Sequence, residues 1–316
     1  MTKNSGTLWV VGAGPMAQAY AAVIDELGLP FDVVGRGLRS AKSFAKVTGK
    51  KVIHGGVAQA LASGKAPNYA IVSTGIGSIV EVSIQLIKSG TKHLLIEKPG
   101  SVYREDLVSL KYEADVAGAK VFVAYNRRFY SSVQKAEEII NEDGGLRSIH
   151  YEFTEWSHVI RPLIKEEGVK ERWLISNSSH VIDLALFLGG VPADWRAWSL
   201  GSSDWHPSSD RFAGAGVTGS GVLFSYKADW GAPGRWSVEM FTCKRRIIMM
   251  PLEQLQVVLL GSTEKDNIKL DDELDRMFKP GLYRQVESFL MGDKKRLCAL
   301  DEQIENMNTY IQMAGY

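Results

Sequence analysis

A turn of the form Gly12-x-Gly14-x-x-Ala17 follows a short apolar run at residues 8–11 and opens a stretch with helical spacing. Those residue types suit one task. Gly12 permits a tight turn, Gly14 puts no side chain in the way of a diphosphate, and Ala17 lets the helix pack closely on the strand. The helix N-terminus then offers free N–H groups to phosphate oxygens. Pro15 fits a first helical turn, where its missing N–H is not needed, and with Met16 it completes the candidate cofactor segment. The next strand bears on which dinucleotide would bind. NAD-selective sites place an acid at its C-terminal end to bind the ribose 2′-OH. Here 33–40 reads Val-Val-Gly-Arg-Gly-Leu-Arg-Ser, without an acid, and Asp32 comes too early. Arg36 can stack on adenine or pair with a 2′-phosphate, and Ser40 can donate a hydrogen bond at the next helix start. The expected cofactor is NADP in preference to NAD.

Other chemistries find little support. Cys243 and Cys298 are far apart, which rules out a cysteine-based zinc site and gives no disulfide framework. No Ser/His/Asp or H-E-x-x-H spacing occurs, and no metal is expected. A net charge of +1 gives no bulk attraction to nucleic acid or a membrane surface. No run approaches the roughly 20 apolar residues that span a bilayer. The start, up to Thr7, is too short and polar for a signal peptide, so a cytoplasmic location is expected.

The elements that would position these residues change character near Tyr125. Runs at 8–11, 31–34, 69–73, 93–96 and 121–124 read as short buried strands, with helical stretches at 15–27, 40–48, 78–88 and 104–117 between them. That alternation predicts an α/β domain over 1–125, a doubly wound parallel sheet of Rossmann type. Beyond it, a helix at 131–141, a strand at 148–155 and a helix at 178–188 precede long alternating stretches. These cover 195–200, 217–230, 236–243 and 246–260, and helices near 283–291 and 301–313 close the chain. Residues 126–316 are therefore expected to form an α+β domain with a mostly antiparallel open sheet, binding substrate and mediating oligomerisation.

Three further segments carry a resemblance. Glu97-Lys98-Pro99 follows the run at 93–96, Tyr125-Asn126-Arg127-Arg128-Phe129 the run at 121–124, and Ser179-His180-Val181-Ile182-Asp183-Leu184 opens a helix in the second domain. In that order, with the glycine turn, they make the chain similar to the family of glucose–fructose oxidoreductase, inositol dehydrogenase and rhizopine-catabolism proteins over essentially its whole length. The resemblance implies an NAD(P)-dependent oxidoreductase acting on CH–OH groups. It places Lys98 beside nicotinamide and substrate, where a cation stabilises a forming alkoxide, and makes His180 the general acid/base. It implies a cis peptide before Pro99. It adds Glu97, Lys98 and the backbone of Ser73-Thr74-Gly75 to the cofactor side. Asp183, one turn after His180, would orient the imidazole or bind a substrate hydroxyl. Asn126, Arg127, Arg128, Trp173 and Asn177 are candidate substrate contacts. Such proteins often form dimers or tetramers through the open sheet, so a homodimer or homotetramer is expected.

The sequence also departs from that pattern. An acid commonly stands four residues before the histidine, where this chain has Ser176, with Asn177 beside it. The loop 73–79 lacks the proline after the threonine and the histidine near Ile79. Seven of the eight tryptophans lie at or after Trp156, which suits sugar faces but also ordinary sheet filling. The basic, irregular segment 157–173 precedes His180 and suits a carboxylate or a nucleotide diphosphate. The expected substrate is a sugar, sugar acid or nucleotide sugar. Two alternatives stand beside it: reduction of a non-sugar unsaturated compound, as by biliverdin- or dihydrodiol-type enzymes, and a cofactor-binding regulator without turnover.

Overall fold

The computed structural model describes residues 7–62 and 64–316. The expectation about a signal peptide concerns residues 1–6, which lie outside them. The chain forms two compact units: the residues up to Tyr125 together with Met277–Ile304, and Asn126–Arg276 together with Glu305–Tyr316.

In the first unit, β1 (Leu8–Val11), β2 (Asp32–Gly35), β3 (Val52–His54), β4 (Tyr69–Val72), β5 (His93–Ile96) and β6 (Lys120–Val123) run parallel. The order β6-β5-β4-β1-β2-β3 is the doubly wound one, and the switch point falls between β1 and β4. Helices α1 (Pro15–Glu26), α2 (Leu38–Thr48), α3 (Gly56–Ala62), α4 (Ile79–Lys88) and α5 (Arg104–Ala117) make the crossovers. All four residues of β1 are buried, as a continuous apolar run in the centre of a parallel sheet should be. Ligands of such sheets bind beyond the strand C-termini at the switch point, where the glycine turn lies.

The second unit carries α6 (Ser131–Glu142), β7 (Ser148–Glu152), α7 (Ser157–Ile160), α8 (Ser179–Gly189), β8 (Pro192–Leu200), β9 (Arg211–Thr218) and β10 (Leu223–Asp229). It continues with β11 (Ser237–Phe241), β12 (Arg245–Met249), β13 (Gln256–Leu259), β14 (Asp266–Asn267) and α9 (Glu273–Met277). The eight strands have the order β14-β13-β12-β11-β7-β10-β9-β8 and pair antiparallel except β7 with β10. Burial alternates along β7 and β10: Ile149, Tyr151, Phe224 and Tyr226 are buried, while Leu223 and Lys227 on the opposite face are exposed. Helix α8 covers the buried face so closely that a Cβ on Gly189 would lie 2.9 Å from Ile149.

Several expectations are corrected. The stretch 217–230 is not one strand: Thr218 ends β9, and the turn through Gly221 (φ +83°) leads into β10. The stretch 246–260 folds back as β12 and β13. Beyond them lie α10 (Leu282–Met291), β15 (Cys298–Ala299) and α11 (Leu300–Ala314). Residues 277–304, expected in the second domain, pack in the first unit, because β15 pairs antiparallel with β6 and extends its sheet. Strand β3 and helix α3 were not expected from the sequence.

Candidate active site

The first unit carries a groove of about 480 Å³ at the switch point, lined among others by Gly12, Gly14, Arg36, Ser40, Ser73 and Gly75. Gly12 has φ +124°, and a Cβ there would lie 2.6 Å from the Ser73 carbonyl oxygen, so only glycine fits. Gly14 is different. A Cβ there would meet no protein atom within 4 Å, so a side chain would project into the groove. Ala17 is completely buried, which allows α1 to approach β1. The first turn of α1 carries no acidic residue and has Pro15 at its start, leaving the positive end of the helix dipole for an anion. These features fit a dinucleotide diphosphate.

Arg36 is exposed at the end of β2 beside the groove. Ser40 also lines it, but its hydroxyl donates to the Gly37 carbonyl at 2.9 Å, so its hydrogen is engaged in closing the turn. Thr74 lines the same wall, and Glu81 on α4, which the sequence did not single out, is the acid among the lining residues.

At the end of β5 the Lys98–Pro99 peptide is cis, as the resemblance implied. Gln303 Nε2 donates to the Pro99 carbonyl at 2.9 Å, which ties this loop to α11. The Tyr20 hydroxyl donates to Glu97 Oε1 at 2.6 Å. Burial raises the Glu97 carboxyl above its ordinary value, against the opposing pull of the Tyr20 hydrogen bond and the charges of Lys98 and Lys279. Burial and the neighbouring carboxylate together push the Tyr20 phenol well up, so it stays a donor. Lys279 Nζ lies 2.8 Å from Met16 Sδ. It brings a cation from the returning segment to the glycine turn, and the sequence pattern did not single it out.

In the second unit, residues Leu174–Ser178 form a wide, π-helical turn that runs into α8. Such turns recur at functional sites because they shift the register in which side chains leave the helix. His180 follows, partly exposed, with its ring centroid 6.0 Å from that of Trp236. Ser176 donates to the Val169 carbonyl at 3.1 Å and is buried. Asn177 Nδ2 and Ser178 Oγ each donate to Glu155 Oε1 at 2.8 Å. Glu155 is 2% exposed and also meets Arg235 Nη1 at 3.3 Å. A buried carboxylate thus does stand against the turn before His180, though it comes from the chain after β7. Its place beside Trp156 was its only sequence signal.

Arg127 and Arg235 both lie over Trp236, at 4.8 and 4.7 Å from the ring centroid. Arg128 and Asp183, expected at the substrate, are engaged with each other instead. The pair is almost wholly buried, with Nε–Oδ2 at 2.8 Å and Nη2–Oδ1 at 2.5 Å, and it joins the turn after β6 to α8. Trp173 is also reassigned: it is buried edge-on to Trp205 at 6.1 Å, in a cluster where Trp205 stacks on Trp230. Asn126 is 4% exposed, which leaves it little surface for a ligand. Among the described residues no group of three or more His, Cys, Asp or Glu could hold a metal ion, and no helix is long and apolar enough to cross a membrane.

Residues 7–125 match the sequence model of the GFO_IDH_MocA family, described as an oxidoreductase family with an NAD-binding Rossmann fold. Over 132 residues the chain is 31% identical to scyllo-inositol 2-dehydrogenase (NADP(+)) IolW of Bacillus subtilis (strain 168); the match covers 40% of this chain and 36% of the relative. The chain thus spans only about a third of the curated relative it matches. Among solved structures, an NADPH-dependent oxidoreductase from Desulfitobacterium hafniense is similar at TM-score 0.80 and 16% identity, covering 99% of this chain and 95% of that one. UDP-N-acetylglucosamine 3-dehydrogenase GnnA from Acidithiobacillus ferrooxidans is similar at TM-score 0.75 and 16% identity, with 98% and 96% covered. At such identities the likeness shows the fold.

Proposed function

We propose that the chain, whose residues 7–125 match the model of the oxidoreductase family with the NAD-binding Rossmann fold, is a nicotinamide-dependent dehydrogenase of a sugar, sugar acid or nucleotide sugar. The observation that carries the reading is the groove at the switch point. Its glycine turn leaves space at Gly14 where a diphosphate would lie, at a helix end without acids. The matched relative oxidises an inositol, by its name, and a solved neighbour is named for a nucleotide sugar; both support the substrate class.

A bound nicotinamide supplies hydride acceptance or donation. The chain's own residues manage charge and protons. Lys98 stabilises the oxygen that becomes an alkoxide as its carbon loses hydride. His180 takes the hydroxyl proton in the oxidising direction and returns it in the reducing one. Glu155, through Asn177 and Ser178, holds the turn that presents His180, in the place of the acid that Ser176 replaces in sequence. Arg36, with no acid at the end of β2, favours NADP over NAD. The protein assembles as a homodimer or homotetramer, which light scattering would check.

The test is a fluorescence titration with NADPH and NADH, followed by a screen of polyols, sugar acids and nucleotide sugars for cofactor reduction. NADPH should bind about tenfold or more tightly than NADH, and Arg36→Ala should close that gap. Lys98→Ala and His180→Ala should each abolish turnover while leaving dinucleotide affinity largely intact. Turnover at the wild-type rate in either variant removes its assigned role, and failure to bind either dinucleotide removes the whole reading.

A further inference from the structure

We propose that Glu81 selects the base of the dinucleotide, its carboxylate accepting a hydrogen bond from the 6-amino group of adenine. The proposal rests on the dinucleotide reading above and adds to it a residue that reads the base.

The groove runs from the glycine turn to the first turns of α4. Its α1 end, around Gly14, suits the diphosphate. The adenosine ribose of a dinucleotide held there comes to the end of the second strand, where Arg36 stands. The base lies beyond the ribose, and the groove continues along the start of α3 and one side of α4. The α3 start abuts the arginine, since a Cβ on Gly56 would lie 4.0 Å from Arg36 Cβ and Cγ. Ser78, Glu81, Val82 and Gln85 all line the groove, at the spacing of a single helical face. Val57 and Val82 supply apolar surface for a ring.

The polar groups on these walls differ in what they can still offer. The hydroxyls of Ser40, Ser73 and Ser78 each donate to a main-chain carbonyl, at 2.9, 3.2 and 3.0 Å, so their hydrogens are engaged within the protein. Glu81 is the acid among the described lining residues, and a carboxylate can only accept. Gln85 Nε2 donates to Glu81 Oε1 at 3.1 Å, one turn along α4. That bond orients the carboxylate and leaves Oε2 for a second donor. A negative charge in this groove repels phosphate, so it is unfavourable unless something bound there donates to it. The 6-amino group is the N–H donor of adenine, and a charged acceptor makes the stronger kind of hydrogen bond.

The experiment titrates the full-length protein, by fluorescence, with NADPH and with its purine analogue, which has hydrogen in place of the 6-amino group. The two carry the same charge, so the ratio of their dissociation constants cancels any bulk repulsion. Wild type should bind NADPH about threefold or more tightly than the analogue. Glu81→Ala should bring the ratio to about one, and Glu81→Gln, which keeps a carbonyl acceptor without the charge, should retain part of it. Glu81 is exposed, so both variants should melt as wild type does. NADH and its purine analogue should show the same ratio, since the 2′-phosphate takes no part. Equal binding of the two dinucleotides by wild type overturns the proposal and leaves the dinucleotide reading intact. A wild-type ratio that persists in Glu81→Ala overturns it as well. If both affinities rise together in that variant, Glu81 merely repels the phosphates; if both fall together, it holds the ribose. Protein that binds no dinucleotide removes the underlying reading, and the proposal with it.

Discussion

The Tyr20 hydroxyl and the Glu97 carboxylate meet at 2.6 Å, so the helix that starts at the glycine turn is hydrogen-bonded to the residue before Lys98. One bond couples the segment proposed to hold the diphosphate to the segment proposed to act on the alkoxide. Tyr20→Phe leaves a buried acceptor without its donor, at a cost of about 1–3 kcal/mol. Glu97→Gln keeps a carbonyl oxygen for Tyr20 and should cost less. Urea unfolding of the two single variants and the double variant gives the coupling between them. A coupling near zero would show that the bond does not hold the two segments together.

The two glycines of the turn should separate folding from binding. Gly12→Ala places a Cβ 2.6 Å from a backbone oxygen at φ +124°. It should lower stability by about 1–3 kcal/mol or more and abolish dinucleotide binding with it. For Gly14→Val, the added Cβ meets no protein atom within 4 Å. That variant should melt as wild type does, yet bind NADPH about tenfold or more weakly. Normal NADPH affinity in Gly14→Val would place the diphosphate elsewhere.

The Arg128–Asp183 pair is a second point of leverage, in the other unit. Replacing one partner, as in Asp183→Asn, strands a buried guanidinium and should cost about 3–5 kcal/mol. The double variant Arg128→Met/Asp183→Leu should recover most of that loss. If Asp183→Asn unfolds at the wild-type urea midpoint but loses turnover, Asp183 serves the substrate after all.

His206 predicts a pH dependence of stability. It is fully buried, its Nδ1 placed 2.5 Å from the Ser209 carbonyl and its Nε2 2.7 Å from the Tyr316 hydroxyl. Burial lowers its pKa from the ordinary 6.5. The unfolded chain therefore takes up a proton near that value while the folded one does not. Stability is complete above pH 6.5 and declines as pH falls towards the lowered folded value. His93 and His150 are lowered as well and add to the same slope. His206→Gln should flatten the fall in melting temperature between about pH 7 and pH 5.5, and an unchanged slope would discount His206.

What was legible in the sequence was whatever local rules determine. The continuous apolar run of β1 and the Gly12–Ala17 turn announce a buried parallel strand and a phosphate-binding helix start, and α5 begins and ends where its pattern does. Strand β3 was not visible because Val52–His54 is three residues long with two of them exposed. The turn between β9 and β10 did carry a signal, Gly219-Ser220-Gly221, which the alternation on either side obscured. Glu155 and Lys279 lay beyond reach for a different reason. Each matters only through partners 22 or more residues away, Asn177 and Ser178 for the one, Met16 for the other. For Arg128 and Asp183 the segments were identified but the roles were not, because residue type alone does not tell a ligand contact from an internal ion pair.

The pairing of β15 with β6 has a consequence for how the protein is made. The first unit is discontinuous in the chain: nearly all of the second is synthesised between its sixth strand and its seventh. During translation the edge of β6 stays open until the returning segment emerges, and an open strand edge is a template for pairing with other chains. The first unit can close only after most of the second has left the ribosome. A chain cut short near Tyr125 would keep that edge exposed and would be prone to aggregate.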